Sequence, residues 1–157
     1  MLIKLLTFLA TAIFFVPISP SFGALDYGKQ SLVGSDFSNS DLRGATFYLT
    51  DLQNANLSGS NLQGASLFGA KLENADLSNA NLTEVTLDTA VLDGTNLTNA
   101  VLEDAFAFST RFIDVEIEGA DFTNVPLSKV VLKELCERAD GINSVTNRST
   151  KDSLGCL

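Results

Sequence analysis

The two cysteines, Cys136 and Cys156, are the residues whose type and spacing most clearly suggest a defined chemistry. In an exported chain an even number of cysteines favours a disulfide over a metal site, and two buried free thiols are the alternative. The sequence contains no histidine, no glycine-rich phosphate loop and no cluster of metal ligands. It therefore lacks the usual means of acid–base, phosphoryl-transfer or metal-assisted catalysis. We predict that the protein is not an enzyme and uses no cofactor or metal.

Residues 1–24 have the composition of a signal peptide. Lys4 precedes an apolar run over residues 5–16, and small residues follow as far as Ala24. A basic start, an apolar centre and a small-residue exit are typical of export signals. A membrane span needs about 20 apolar residues, and this run is shorter. We expect cleavage near residues 23–25 and no stable membrane insertion afterwards; an uncleaved signal that tethers the protein is the alternative.

The net charge disfavours one class of partner. The chain has 10 basic and 19 acidic residues, and residues 1–24 contain one base and no acid, which leaves 9 − 19 = −10. Such a charge opposes phosphate contacts with nucleic acid or anionic lipid. We predict a protein partner, no nucleic-acid binding and a monomeric chain.

A five-residue repeat organises most of the sequence. Of the twenty positions reached by steps of five from Leu32 to Leu127, nineteen carry a large apolar residue and only Ala107 is small. A slim residue precedes most of them by two positions, and the other positions are mainly polar or glycine. This period fits neither a helix nor a single strand. Because one repeat alone buries nothing, the repeats must stack to form a core, with Gly and Asn at the corners.

The sequence Ala-Asp-Leu-Ser-Asn-Ala-Asn-Leu at residues 75–82 resembles the pentapeptide repeat family. The period alone does not distinguish four sides from three, whereas the resemblance implies an all-β solenoid, a right-handed quadrilateral β-helix. Residues 25–129 are then the β-helix, in which residues 30–129 supply about five coils of 20 residues. Residues 130–157 are predicted to form a C-terminal helical cap.

The repeat is lost after Pro126, where apolar residues recur at helical spacing. Pro126 and Gly141 bracket a predicted helix, and Ser149 with Asp152 has the spacing of a capping box that starts a second turn. This ending, together with Leu25-Asp26-Tyr27, resembles pentapeptide repeat proteins of cyanobacteria and the thylakoid lumen. The resemblance implies a disulfide-closed cap and residence in the thylakoid lumen or periplasm. We expect residues 25–27 to fold over the first coil.

One side of the predicted solenoid carries large apolar residues at outward positions. This side has its central positions at Phe47 and every twentieth residue after it, and we call it the Phe47 side. Clustered exposed apolar side chains usually mark a contact surface. The candidate partner-binding patch consists of Tyr48, Phe68, Phe106 and Phe108. Because the last two flank Ala107, either both rings point outward in an unbroken register or the chain shifts locally to bury one. We favour the unbroken register.

Two functions compete. The leading prediction is a rigid binding or scaffold module for a lumenal, periplasmic or membrane-protein partner. The alternative is a DNA mimic, because some relatives with this fold are acidic rods that resemble duplex DNA and bind DNA gyrase. Those relatives are cytoplasmic and pair into long dimers through their ends. The predicted export and closed cap therefore disfavour the alternative.

Overall fold

The computed structural model describes residues 25–156, so the predicted signal peptide and its cleavage lie outside the described residues. Parallel bridges join residues that are 20 positions apart, from Asp26–Thr46 to Val101–Asp121, and they recur every five residues. One turn of the chain therefore takes 20 residues and has four sides. Two helices follow, α1 (Lys129–Arg138) and α2 (Thr150–Leu154). Neither is long and apolar enough to span a bilayer, nor is any other helix within residues 25–156.

The core is a stack of central residues, one from each side of each coil, and most of them are leucines. The central residues Leu57, Leu77 and Leu97 are fully buried. The alanines that lie two positions before a central residue, such as Ala55 and Ala75, are buried as well. The residues beside the central positions point outward, and all of them from Asp26 to Thr123 except Val101 and Asp121 stay at least partly exposed. This arrangement confirms the predicted inward and outward positions, because only two of five side chains fit the narrow axis.

The corners use a left-handed backbone at every fifth residue from Lys29 to Asn124, and most of these residues are Gly or Asn. At some corners a side chain of the neighbouring coil also crowds the glycine. The Asn39 side-chain oxygen lies 2.5 Å from the point where a Cβ on Gly59 would stand. The corner asparagine of one coil thus occupies the space above the corner glycine of the next.

The first coil begins before residue 30, where the sequence analysis placed it, although still within the predicted β-helix of residues 25–129. Residues 25–27 do not fold over the first coil but form its first side, since Asp26 bridges to Thr46. Tyr27 takes a central position and stacks on Phe47, with ring centroids 4.9 Å apart and an interplanar angle of 15°. An aromatic ring in this position covers the end of the leucine stack, and for that reason residues 25–27 belong to the repeat.

The solenoid also ends earlier than predicted. The last corner is Asn124 and the last bridge ends at Asp121, so the register stops before Lys129. The α1 helix starts at Lys129, one residue before the predicted cap boundary. Ser128 ends the extended segment because its Oγ accepts the Val131 N–H at 3.3 Å and so caps α1.

Pro126 and Gly141 do not bracket α1, which ends at Arg138. Gly141 serves close packing instead, since a Cβ there would lie 2.7 Å from the Gly119 backbone nitrogen. The predicted start of α2 at Ser149 is confirmed, because Ser149 is the N-cap residue. Ser149 Oγ accepts the Asp152 N–H at 3.1 Å, and the Ser149 hydroxyl donates to the Asp152 carboxylate at 2.6 Å.

Candidate partner-binding surface

The four residues of the candidate patch all point outward on the Phe47 side. Their exposed fractions are 40% for Tyr48, 36% for Phe68, 50% for Phe106 and 59% for Phe108, whereas Ala107 is 5% exposed. The unbroken register is therefore confirmed, because both phenylalanine rings leave the core while the small residue between them faces it.

Tyr48 and Phe68 form one continuous surface. Their rings stack with centroids 5.6 Å apart and an interplanar angle of 19°. Leu49 extends this surface, because its side chain lies over the space that a Cβ would fill at Gly69. The Lys29 ammonium stands 5.8 Å from the centre of the Tyr48 ring. We call Tyr48, Leu49 and Phe68 the aromatic platform.

Phe106 and Phe108 form a second surface, which is separate from the platform. Phe68, Asp88 and Phe108 occupy the same outward position in three successive coils, so Asp88 lies between the two rings. The Asp88 carboxylate accepts the Phe108 N–H at 2.7 Å. Two coil spacings of ~4.8 Å place Phe108 roughly 10 Å farther along the column than Phe68. The structure therefore brings the predicted residues together in two pairs rather than in one patch.

The structure places the Cys136 and Cys156 sulfur atoms 2.05 Å apart, as a disulfide with a Cα–Cα distance of 5.7 Å. Cys136 lies within α1, and Cys156 lies two residues after the end of α2. Both residues are half-buried. The link holds α2 against α1 beneath the last coil.

Asn143 is a key residue of the cap that sequence reasoning missed. It is fully buried, and its side-chain amide donates to the carbonyls of Gly119 (2.8 Å) and Ala100 (3.2 Å). Its side-chain oxygen accepts the N–H groups of Val145 and Thr146. This single side chain therefore joins the cap loop to a corner of the solenoid. Nothing in the sequence marks it, because it lies outside the repeat.

Arg148 is the second cap residue that the sequence did not reveal. Its guanidinium donates to the carboxylates of Asp121 and Glu103, each at 3.1 Å, and to the Thr123 hydroxyl at 2.7 Å. Burial by itself raises the pKa of Asp121. Hydrogen bonds from Thr123 and Thr146 and the charge of Arg148 outweigh burial and hold the pKa of Asp121 below its usual value.

The anchorage of the cap should therefore weaken in acid. A carboxyl group whose pKa is lower in the folded state stabilises the fold above its unfolded pKa, and this contribution is lost as the pH falls through the folded value. Below about pH 4 we expect the hydrogen-exchange protection of residues 139–156, taken relative to the intrinsic exchange rate at each pH, to fall. Asp121→Asn should cost roughly 1–3 kcal/mol at neutral pH and flatten this pH dependence.

The matched control for that prediction is Asp114→Asn, because Asp114 pairs with Arg138 while 76% of its side chain is exposed. Exposed ion pairs contribute little, so this variant should keep the native pH profile. Exchange profiles of native protein and Asp121→Asn that run parallel from neutral to acidic pH would contradict the assigned role.

A cleft of about 570 Å³ lies between the base of the solenoid and the two helices, lined by residues such as Phe122, Leu132 and Arg148. Within residues 25–156, no group of three or more His, Cys, Asp or Glu side chains could hold a metal ion. The distinctive outward chemistry is apolar and aromatic.

The fold is a four-sided parallel solenoid, and one of its outer sides carries aromatic side chains. It belongs to the class of repeat proteins that present side chains on a rigid column. The family model for pentapeptide repeats matches residues 31–67, 60–99 and 90–128 in 8 copies. The chain belongs to the pentapeptide repeat family. Members with known structures are right-handed quadrilateral β-helices, which confirms the predicted fold class at that level.

The chain is similar to proteins of the thylakoid lumen and of cyanobacteria. It is 43% identical to a pentapeptide repeat protein from the Arabidopsis thaliana thylakoid lumen, with a TM-score of 0.81 over 82% of this chain and 90% of that one. It is 46% identical over 48 residues to the thylakoid lumenal 15 kDa protein 1 of Arabidopsis thaliana. This match covers 31% of this chain and only 21% of the length of that relative. A pentapeptide repeat protein from the cyanobacterium Cyanothece 51142 is 30% identical over 59% of this chain and 64% of that one, with a TM-score of 0.43.

Proposed function

We propose that this protein is an exported, non-catalytic scaffold that binds a protein partner through the Phe47 side. Its body is a column of about five 20-residue coils over residues 25–124, and its lower end is closed by a disulfide-linked helical cap. The observation that carries the proposal is the exposure of four aromatic rings on one side of a rigid column.

The energetics of these rings fit a contact surface. Outward positions elsewhere on the solenoid are mostly Asp, Asn, Ser and Thr, which water solvates without cost. Covering an exposed aromatic ring contributes about 1.5–3 kcal/mol, and aromatic residues commonly dominate interface energies. The platform is also held rigid by stacking, so little side-chain entropy is lost on binding. We infer that the platform and the Phe106–Phe108 pair contact one partner along the length of the column.

The proposed compartment is the thylakoid lumen or the periplasm. The similarity to lumenal proteins over most of the chain supports this location. A disulfide fits it as well, because both compartments are oxidising enough to maintain one. Fractionation of tagged protein tests the proposal. Recovery in the cytosol would contradict it and favour the DNA-mimic alternative.

The partner surface is tested by the combined substitution Phe68→Ser, Phe106→Ser and Phe108→Ser. We expect crosslinking and capture of a partner from intact membranes to be abolished, because the platform loses Phe68 and the Phe106–Phe108 pair is removed. The melting temperature should stay nearly unchanged, since all three rings are exposed. Capture is measured by mass spectrometry of crosslinked material, and stability by calorimetry.

The matched control is Val33→Ser with Ile113→Ser, which removes exposed apolar side chains from another side of the column. This variant should retain capture. Equal loss of capture in both variants would show that the Phe47 side has no special role. A large loss of stability from Phe106→Ser or Phe108→Ser alone would show that the ring contributes to the core.

A further inference from the structure

The backbone hydrogen bonds between coils differ in the two directions. The N–H groups of Tyr27 and Lys29 donate to carbonyls of the next coil. On the same side of that next coil, one N–H group, that of Thr46, donates back to the Leu25 carbonyl. The same pattern holds on each of the four sides. A coil therefore donates eight bonds to the coil that follows and receives four from it. The two ends of such a stack must differ chemically.

The N-terminal end is rich in acceptors. The first coil, residues 25–44, presents eight carbonyls and four N–H groups at its outer edge, and within residues 25–156 no backbone group bonds to them. Side chains reach two of these carbonyls, Gln30 that of Asp26 and Ser40 that of Ser38. Leu25 and Val33 are about half exposed at the same end. An unpaired strand edge of this kind is a template for another chain.

The C-terminal end is rich in donors, and the cap bonds to two of them. The Gly119 N–H donates to the Asp140 carbonyl at 2.8 Å, and the Phe122 N–H donates to Ser153 Oγ at 3.0 Å. Asn143 holds the cap beside this edge through its bond to the corner carbonyl of Gly119. The cap therefore stands on part of the edge whose donors and acceptors match those of the N-terminal edge.

The side chains at the two ends match as well. On the Phe47 side the central column contains Tyr27 at the open end and Ala107 in the last coil, where half-buried Leu127 follows it. If a second chain replaced the cap, its Tyr27 ring would stand next to Ala107, the one small residue among the central positions. Two N-terminal edges cannot match in this way, because both have more acceptors than donors.

We propose that the N-terminal edge is a docking surface for the donor-rich edge of another pentapeptide coil stack, and that its occupant is a second copy of this chain whose cap has been displaced. The cap then has a defined task, which is to prevent head-to-tail polymerisation. A head-to-tail contact does not close on itself, so an uncapped chain would grow into filaments. This inference does not depend on the proposed partner of the Phe47 side.

The test uses a cap-release variant of the exported chain, with Cys136→Ser, Asn143→Ala and Cys156→Ser. We expect concentration-dependent oligomers with a mean mass several-fold above that of the monomeric native chain, measured by light scattering after gel filtration. Within residues 25–156 native protein leaves its N-terminal edge unpaired while the cap stands on its C-terminal edge, so in large molar excess it should end growth. The mean mass should then fall towards that of a dimer.

The control is native protein with Leu25→Lys and Val33→Lys, which places two charges at the open edge. In excess this protein should not shorten the oligomers, and the same two changes in the cap-release variant should restore the monomer. If the cap-release variant unfolds, Asn143→Ala alone provides the exposed edge by transient opening. A folded variant that stays monomeric, or oligomers that respond equally to native and edge-charged protein, would overturn the proposal.

Discussion

Replacing Leu77 with Asp should unfold the protein. Leu77 is fully buried in the middle of the leucine stack, where the facing sides leave no room for water. Truncating a buried leucine to alanine costs about 2–5 kcal/mol, and an unpaired buried carboxylate adds a further penalty. We expect a total loss above about 5 kcal/mol, which matches the whole stability of many domains. Circular dichroism and chemical denaturation measure this loss.

The neighbouring substitution Ser78→Asp is the matched control. Ser78 is adjacent in sequence but points outward and is half-buried, so the new carboxylate stays in water. We expect a change below about 1 kcal/mol. Equal shifts in the melting temperatures of the two variants would show that the inward and outward positions are assigned wrongly.

Removing the predicted disulfide should have the second-largest effect, and one confined to the cap. The bond closes a sequence separation of 20 residues, and restriction of the unfolded chain by such a loop contributes about 3 kcal/mol. In the variant with Cys136→Ser and Cys156→Ser we expect faster hydrogen exchange in α2 and residues 139–149. The coils should keep their protection, because each is stabilised by its neighbours.

Intact-mass analysis with and without reductant, followed by alkylation, establishes the bond itself. Reduction should add two hydrogens and make both thiols available to the alkylating reagent. Two thiols that alkylate freely in unreduced protein would refute the disulfide. Faster exchange throughout residues 45–104 of the serine variant would instead show that the cap stabilises the whole column.

The sequence alone determined the solenoid and the orientation of nearly every side chain in it. The physical reason is repetition, because each of twenty central positions has to fill the same kind of space in the core and nearly all of them carry the same kind of residue. A large apolar residue at each fifth position, a slim one two before it and a corner residue two after it determine which side chains face inward, whereas the choice of four sides over three came from the resemblance to the pentapeptide repeat family. Even the exception at Ala107 was predicted correctly, since the register on both sides of it fixes its orientation. The start of α2 at Ser149 is likewise a local signal and was predictable.

The tertiary structure alone decided features that join distant residues. Arg148 contacts Glu103, and Asn143 contacts Ala100, across more than forty residues, and no periodic signal connects a cap to the coil above it. Likewise, a step of 20 residues assigns Phe68 and Phe108 to the same side, but only the structure shows that Asp88 separates them. The bounds of α1 and the role of Tyr27 depend on which surface each segment covers. Sequence periodicity predicts whether a side chain in a coil points inward or outward. The packing of the cap against the last coil depends instead on individual contacts that no repeat encodes.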